Sequence, residues 1–183
     1  FVLMGAEVTT REEVHCLSFF ENDDQLSEFQ AYLEQHLPHV PNDTQKFGFQ
    51  VVVDKEEQIL EELEYLLISA LDQSLNQVEQ KVHSLGGIFI PAHIDRPSFS
   101  ITSQLGFIPA DLYIDGVEIS AGCKKETILP FLPKKRNISI IRSSDAHYLD
   151  QVGKVVTSFE MERRSFKEIK MALQATAGRS VIN

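Results

Sequence analysis

Short apolar runs and stretches of helical spacing alternate along the chain. Runs of four to eight apolar or alternating residues predict strands. Seven segments have this pattern: residues 1–7, 13–20, 47–53, 87–93, 116–120, 137–141 and 154–159. Within 13–20 the residues alternate, so we expect Cys16 and Ser18 on one face of that strand and His15 and Leu17 on the other.

Apolar residues three and four positions apart predict helices between these strands. Asn22 and Ser74 are suitable N-caps, and Gly86 is suitable as a helix stop. The predicted helices are 25–36, 59–71, 75–85, a short turn at 101–105, a brief segment at 126–132, and 165–175. Strands that alternate with helices indicate βαβ units, so we expect an α/β fold with a parallel sheet or barrel. No repeat or linker divides the chain, and residues 1–183 are interpreted as one domain.

Composition and charge narrow the classes of protein. The net charge of −10 argues against a general electrostatic surface for nucleic acid, although a local basic groove or phosphate binding through metal ions stays open. The two cysteines, Cys16 and Cys123, form no disulfide framework or zinc-ribbon pattern. We therefore expect a reducing, cytoplasmic setting, and neither a membrane-spanning segment nor a signal peptide.

Histidines and carboxylates collect where the predicted strands end. The carboxyl ends of parallel barrel strands meet at one face, where active sites form. The candidates are Glu7, His15, His93, Glu118, Asp145 and His147. Mixed histidine and carboxylate ligands suit Zn, Mn or Fe without choosing among them, and paired ions commonly serve phosphoester hydrolysis. Asp145 and His147 are also the candidate catalytic residues, because a carboxylate and an imidazole can move protons.

Three motifs carry a resemblance to a known family. Gly-Ala-Glu at 5–7 with Glu-Val-His at 13–15, Ile-Pro-Ala-His at 90–93, and Ser-Asp-Ala-His at 144–147 resemble the later motifs of the PHP (polymerase and histidinol phosphatase) family, in order. The resemblance implies a distorted (β/α)7 TIM-like barrel that binds up to three metal ions. It also implies hydrolysis of phosphomonoesters or phosphodiesters.

The same resemblance implies a role for each matching residue. Glu7 resembles the carboxylate that bridges the first two ions, and His15 and His93 resemble ligands of the second. Asp145 resembles a ligand of the first ion, and His147 a ligand of the third. Glu118 receives no role from the family; it is either an acceptor that orients a histidine or a plain strand-end charge.

Arg96, just after His93, is the candidate substrate-binding residue, because a guanidinium can hold a phosphate in its fork. An ion pair with Asp95 or with a neighbouring loop is an equally good interpretation. His36, His39 and His83 are interpreted as surface residues without convergent partners, and the acidic residues of 56–64 as the solvated face of the 59–71 helix.

The chain departs from the family in one major respect. The family opens with a His-x-His strand and further ligands, and no His-x-His occurs in these 183 residues. The barrel would then lack its first strands, and only the second ion would keep three ligands. We expect the natural protein to extend upstream; strands from another chain and a degenerate site are the alternatives.

These observations predict a metal-dependent phosphoesterase that acts on a phosphorylated small molecule or nucleotide. Nucleic acid is an open alternative that the charge does not indicate. A second hypothesis is a non-catalytic metal-binding scaffold or regulatory module, associated with nucleic-acid processing. A third, an amidohydrolase-like barrel, would use similar ligands but also a metal-bridging lysine, and none stands out at a strand end.

Overall fold

The order of strands and helices follows the predicted order along most of the chain. The computed structural model describes residues 1–134 and 136–182. In this part the elements are β1 (Met4–Thr9), β2 (His15–Phe20), α1 (Asp23–His36), α2 (Thr44–Phe47), β3 (Val51–Val53), β4 (Ile59–Glu62), α3 (Leu75–Ser84), β5 (Ile88–Pro91), α4 (Ile101–Leu105), β6 (Gly116–Glu118), α5 (Lys125–Ile128), β7 (Ser139–Ile141), β8 (Ser158–Glu160), α6 (Phe166–Leu173) and β9 (Ser180–Ile182). Single 3-10 turns lie at Leu129–Phe131 and Leu149–Gln151.

The central sheet has the order β1-β2-β5 and is antiparallel throughout. Thr9 pairs with His15 across the first hairpin, and Cys16 pairs with Pro91 across the next strand pair. The predicted alternation of β2 is confirmed, because Cys16, Ser18 and Phe20 are buried while His15 is half-buried on the opposite face. This opposite face carries the first two candidate ligands.

Backbone hydrogen bonds continue from β5 into β6 and β7. The amide of Asp115 donates to the carbonyl of Phe89, and the amide of Ile94 donates to the carbonyl of Glu118. Strands β6 and β7 are parallel, with Glu118 opposite Ile141. The carboxyl ends of β5, β6 and β7 therefore lie together, as the sequence predicts for the residues that follow them.

The predicted distorted (β/α)7 TIM-like barrel is not what the described residues form. They form a mixed α/β structure with four small sheets and no closed barrel. The turn at residues 10–14 explains the difference, because parallel pairing needs a crossover of about a dozen residues or more. With this short turn, β1 and β2 can only form an antiparallel hairpin.

Helices cover both faces of β5, whose continuous apolar run predicts a strand buried on both sides. Phe89 belongs to the larger apolar core, with Phe29 of α1 and Val78 of α3. Ile88 and Ile90 belong to a second core, with residues of α6. Both predicted N-caps are confirmed: Asn22 begins α1, and Ser74 begins α3 in a capping box with Gln77. None of the described helices has both the length and the apolar composition needed to cross a bilayer.

The predicted helix at 59–71 is wrong. Ile59–Glu62 is strand β4, which pairs antiparallel with β3 in an exposed hairpin. Gln50 holds the following segment extended: its Nε2 donates to the carbonyl of Tyr65 at 2.6 Å, and its Oε1 accepts from the amide of Leu67 at 3.0 Å. The acidic residues of 56–64 therefore lie on this hairpin and the segment that follows it, not on a helix face.

Candidate metal centre

Glu7, His15 and His93 converge on the face of the central sheet opposite Cys16. Glu7 Oε1 lies 3.3 Å from His15 Nδ1 and 3.5 Å from His93 Nε2. One ligand atom from each residue lies within 4.8 Å of the other two. The two imidazole rings meet edge to face, with 5.3 Å between their centroids. The arrangement offers two nitrogens and a carboxylate to a single ion.

The strand register brings Glu7 and His15 together. Glu7 pairs with Leu17, and His15 lies two positions from Leu17 on the same face of β2. Diagonal neighbours of this kind are close enough for side-chain contact. Glu7 lies inside β1 rather than at the end of a strand, because the strand continues to Thr9.

His93 lies two residues beyond β5, and its side chain is almost completely buried. Its backbone φ of +31° is outside the ordinary regions for a non-glycine residue, and its amide donates to Glu118 Oε2 at 3.1 Å. The ring nitrogen Nδ1 is buried and has no hydrogen-bond partner. The ring nitrogen that faces Glu7 is the other one, Nε2, so Nε2 is the atom that could bind an ion beside Glu7.

Phe99 orients His15 from the loop that follows His93. The two rings are stacked with centroids 4.9 Å apart, and the Phe99 carbonyl accepts from the His15 amide at 2.9 Å. Phe99 itself has a φ of +55°. Sequence reasoning missed this residue, because nothing in the local pattern of the long connection 94–109 distinguishes it.

The two histidines set the ionisation of Glu7. Side-chain hydrogen bonds from His15 and then from His93 lower the pKa of Glu7 from 4.5 to about 2, against the opposing effect of burial. The carboxylate is therefore ionised at neutral pH and can bind a cation. Two imidazoles and one carboxylate fit a Zn²⁺, Mn²⁺ or Fe²⁺ site with open positions.

Asp145 and His147 lie outside this group of three. Asp145, with a φ of +44°, follows β7 in a loop, and its Oδ2 lies 2.5 Å from Nη2 of Arg96. His147 is 75% exposed; its Nδ1 lies 2.9 Å from the carbonyl oxygen of Asp145 and 4.0 Å from Oδ1. Arg96 thus forms an ion pair with a neighbouring loop, as one interpretation of the sequence expects, and its partner there is Asp145 rather than the adjacent Asp95.

A cavity joins the two parts of the candidate site. It has a volume of about 280 Å³, and its lining includes His93, Arg96, Glu118 and Asp145. A more open cavity of about 630 Å³ lies beside it, and Arg96 and Asp145 also border this one, together with His147 and Lys154. Arg96 and Asp145 therefore stand between the two cavities.

Glu118 accepts hydrogen bonds from two of the loops that line the smaller cavity. It is buried at the end of β6, and its Oε2 accepts from the His93 amide while its Oε1 accepts from the hydroxyl of Ser143. Glu118 thereby ties the residues after β5 to those after β7. Of the two sequence interpretations, the structure favours an orienting acceptor, although one that holds the backbone of His93 rather than its ring.

The interpretation of His83 as a surface residue without convergent partners is wrong. Its Nδ1 contacts Glu79 one turn earlier on α3, and its Nε2 lies 2.9 Å from Oδ2 of Asp115. Asp115 immediately precedes β6, at the opposite end from Glu118. His36 also has an acidic partner, at 2.8 Å from Asp72, and His39 stacks on Tyr65. Asp115 and Asp72 come from distant segments, so the local sequence does not reveal these two contacts, whereas Glu79 lies on the same helix as His83.

Comparison with known proteins supports the family resemblance. Residues 132–177 match the family described as PHP-associated. The uncharacterized protein YqxK of Bacillus subtilis (strain 168) is 23% identical over an alignment of 191 residues. The alignment covers 99% of this chain and 43% of that protein.

Two solved structures share the fold. The lesion-specific endonuclease PfuEndoQ from Pyrococcus furiosus matches with a TM-score of 0.69 and 19% identity, over 97% of this chain and 40% of that one. A structure of Endonuclease Q with a 27-mer duplex substrate that has an abasic lesion at the active site matches with a TM-score of 0.64 and 18% identity, over the same fractions. The chain therefore spans less than half the length of these relatives. The match over residues 132–177 and the shared fold confirm the resemblance to the PHP family.

Proposed function

We propose that this chain carries the metal-binding part of a hydrolase that cleaves phosphodiester bonds in nucleic acid. The convergence of Glu7, His15 and His93 is the observation that carries the proposal. A divalent cation held by these residues would supply a Lewis acid that polarises a phosphoryl oxygen and lowers the pKa of an attacking water.

The other residues of the site have distinct proposed roles. Phe99 and Glu118 hold His15 and His93 in place through the contacts described above. Asp145, which borders both cavities, and His147, which borders the larger one, are further ligands or proton-transfer groups. Arg96 is the group that would contact the substrate phosphate, because it borders both cavities.

Nucleic acid is proposed as the substrate class because a structure with the same fold holds a DNA duplex. No comparison points to a small phosphorylated molecule. The net charge of −10 does not oppose this proposal as strongly as it first suggests. Residues 43–64 contain seven acidic and two basic side chains. Their net charge of −5 is half of the net negative charge of the whole chain. Arg96 and Lys154 border the larger cavity, and each is paired there with a carboxylate, Asp145 and Asp150.

A closed PHP barrel and a site with three ions would need a longer protein, and we propose them for such a protein alone. The described residues supply one three-ligand group, and the chain contains no His-x-His motif. The remaining strands and ligands would have to come from outside these 183 residues.

The experiment compares the wild type, His93→Ala and the control His39→Ala, whose imidazole stacks on Tyr65 away from the site. Each is purified without chelators, loaded with Mn²⁺ or Zn²⁺, and measured for metal content. Hydrolysis of bis-p-nitrophenyl phosphate, p-nitrophenyl phosphate and an abasic DNA duplex is then followed. We expect cation-dependent cleavage of the diesters by the wild type and by His39→Ala. His93→Ala should lose metal and activity together while remaining folded.

A non-catalytic metal-binding scaffold is the alternative function, and a full-length protein without a His-x-His motif would favour it. The same experiment separates the two. A wild-type chain that binds the cation but cleaves none of the three substrates would support the scaffold. Cleavage by His93→Ala at the wild-type rate with unaltered metal content would contradict the site assignment.

A further inference from the structure

Arg96 forms an ion pair with Asp145, the carboxylate that the proposed function assigns as a further cation ligand. Its Nη2 lies 2.5 Å from Oδ2 of Asp145, a short charge-assisted contact. The same guanidinium is the proposed contact for the substrate phosphate. Arg96 cannot hold the Asp145 carboxylate and a phosphate with the same donor, so the two roles need an exchange of partners.

The surroundings of Asp145 make Arg96 its principal cationic partner among the described residues. The Nδ1 of His147 is 4.0 Å from the other carboxylate oxygen and closer to the backbone carbonyl. Lys154, which borders the same larger cavity, pairs instead with Asp150 at 3.1 Å. The Ser144 hydroxyl is engaged with the backbone of Val155. Removal of Arg96 would therefore leave the Asp145 carboxylate without a directly bonded cation.

The position of Arg96 allows its guanidinium to leave. The side chain is 41% exposed, borders both cavities, and is long enough to reorient without a change in the backbone. A divalent cation at the Asp145 carboxylate would compete with the guanidinium for the same oxygen and repel it. Both effects direct the guanidinium away from Asp145 and toward the cavity space.

We propose that Arg96 is a placeholder for a divalent cation at Asp145, and that cation binding releases Arg96 to bind an anionic phosphoryl group. The inference rests on the proposed function, because it takes Asp145 as a cation ligand. It adds an order of events: the phosphate-binding arginine becomes free only after the cation has arrived. By linkage, phosphate and cation then favour each other's binding.

The first test is a calorimetric titration of the chelator-treated chain with Zn²⁺ alone. The variants are Arg96→Gln, Asp145→Asn and the control Lys154→Gln, which removes the same charge from the edge of the same cavity. Competition predicts that Arg96→Gln binds the Asp145-dependent ion roughly tenfold more tightly, because a charge-assisted contact no longer has to be broken. Lys154→Gln should change the affinity by less than about threefold, the effect of an exposed charge.

The second test observes Arg96 directly. Its guanidinium nitrogen signal in an NMR spectrum, assigned by its loss in Arg96→Gln, should shift and exchange faster with water when Zn²⁺ is added to the wild type. The same addition should leave the signal unchanged in Asp145→Asn. Inorganic phosphate should then shift the Arg96 signal only in the Zn²⁺-loaded wild type.

Several outcomes would overturn the inference. Equal or weaker Zn²⁺ binding by Arg96→Gln would exclude competition, as would a Zn²⁺ affinity that does not depend on Asp145. An unchanged Arg96 signal on Zn²⁺ saturation would exclude release. If the wild type cleaves phosphodiesters under these results, only the placeholder role fails. If the wild type binds no Zn²⁺ and cleaves nothing, the proposed function fails with it.

Discussion

Glu7 Oε1 lies 3.5 Å from Nε2 of His93, although the two residues belong to different parts of the central sheet. Glu7 is on β1 and His93 follows β5, and both strands pair with β2 rather than with each other. The His15 ring on β2 lies between them. Strand register therefore brings Glu7 beside His15, and the segment that follows β5 brings His93 and Phe99 to them.

The depressed pKa of Glu7 predicts an acid-sensitive contribution to folding in the metal-free chain. The pKa of the Glu7 carboxylate is about 2 in the folded protein, against an ordinary value of 4.5. Its stabilising effect is therefore present above about pH 4.5 and lost as the pH falls toward 2. Because the side chain is 40% exposed, we expect an effect of at most about 1 kcal/mol.

Urea denaturation of the wild type and Glu7→Gln at several pH values measures this contribution. The difference in the free energy of unfolding should favour the wild type at pH 5.5 and diminish toward pH 2.5. A difference that stays constant over this range would show that the histidines do not stabilise the Glu7 carboxylate.

The stacking of Phe99 on His15 predicts a loss of metal affinity without loss of fold. Phe99→Ala removes the ring that orients the imidazole, and we expect roughly tenfold weaker Zn²⁺ binding, as for other residues that support a ligand. Phe107→Ala is the matched control, since Phe107 is also an exposed phenylalanine. Calorimetric titration with Zn²⁺ and a thermal melt of each variant check the expectation. Equal affinities for the two variants would contradict a positioning role.

The two hydrogen bonds accepted by Glu118 predict a larger effect on stability. Glu118→Ala leaves the amide of His93 and the hydroxyl of Ser143 without this acceptor, and we expect a loss of about 2–3 kcal/mol. Glu118→Gln keeps one carbonyl acceptor and should lose less. Glu126→Ala, an exposed carboxylate elsewhere on the chain, should change the free energy of unfolding by less than about 0.5 kcal/mol. Urea denaturation compares the three.

The local sequence predicts the positions of His93 and Asp145 after buried strands, because apolar runs end abruptly before both residues. It does not predict how far apart they lie. Asp145 faces Arg96 rather than the Glu7 group, since the loop after β7 turns through a positive φ at Asp145. The position of an element along the chain is a local property, whereas the direction of a loop side chain depends on packing.

The two errors of fold have the same origin. Residues 59–71 have helical spacing, but hydrogen bonds from Gln50 hold the segment extended, and Gln50 is distant in sequence. The βαβ pattern suggested a parallel barrel, but the short turn at 10–14 forces β1 and β2 into a hairpin. In both cases a connection outside the amphipathic pattern determines the structure.

His83 gives a prediction about stability with the opposite pH dependence. Burial lowers its pKa, but hydrogen bonds from the ring to Asp115 and Glu79 outweigh burial and raise the pKa above 6.5. Its stabilising effect is therefore complete below about pH 6.5 and is lost as the pH rises through the raised folded-state pKa.

His83→Gln leaves the buried Asp115 and Glu79 without their shared cation. We therefore expect the free energy of unfolding, measured by urea denaturation, to fall by about 3 kcal/mol at pH 6 and by less at pH 9. His39→Gln, an exposed control, should show neither the loss nor the pH dependence. Because the His83 cluster lies at the amino end of β6, Zn²⁺ affinity should be unchanged in His83→Gln. A weakened Zn²⁺ affinity would show that the cluster and the metal centre are coupled through the strand, and a loss that grows from pH 6 to pH 9 would show that His83 is buried in its neutral form.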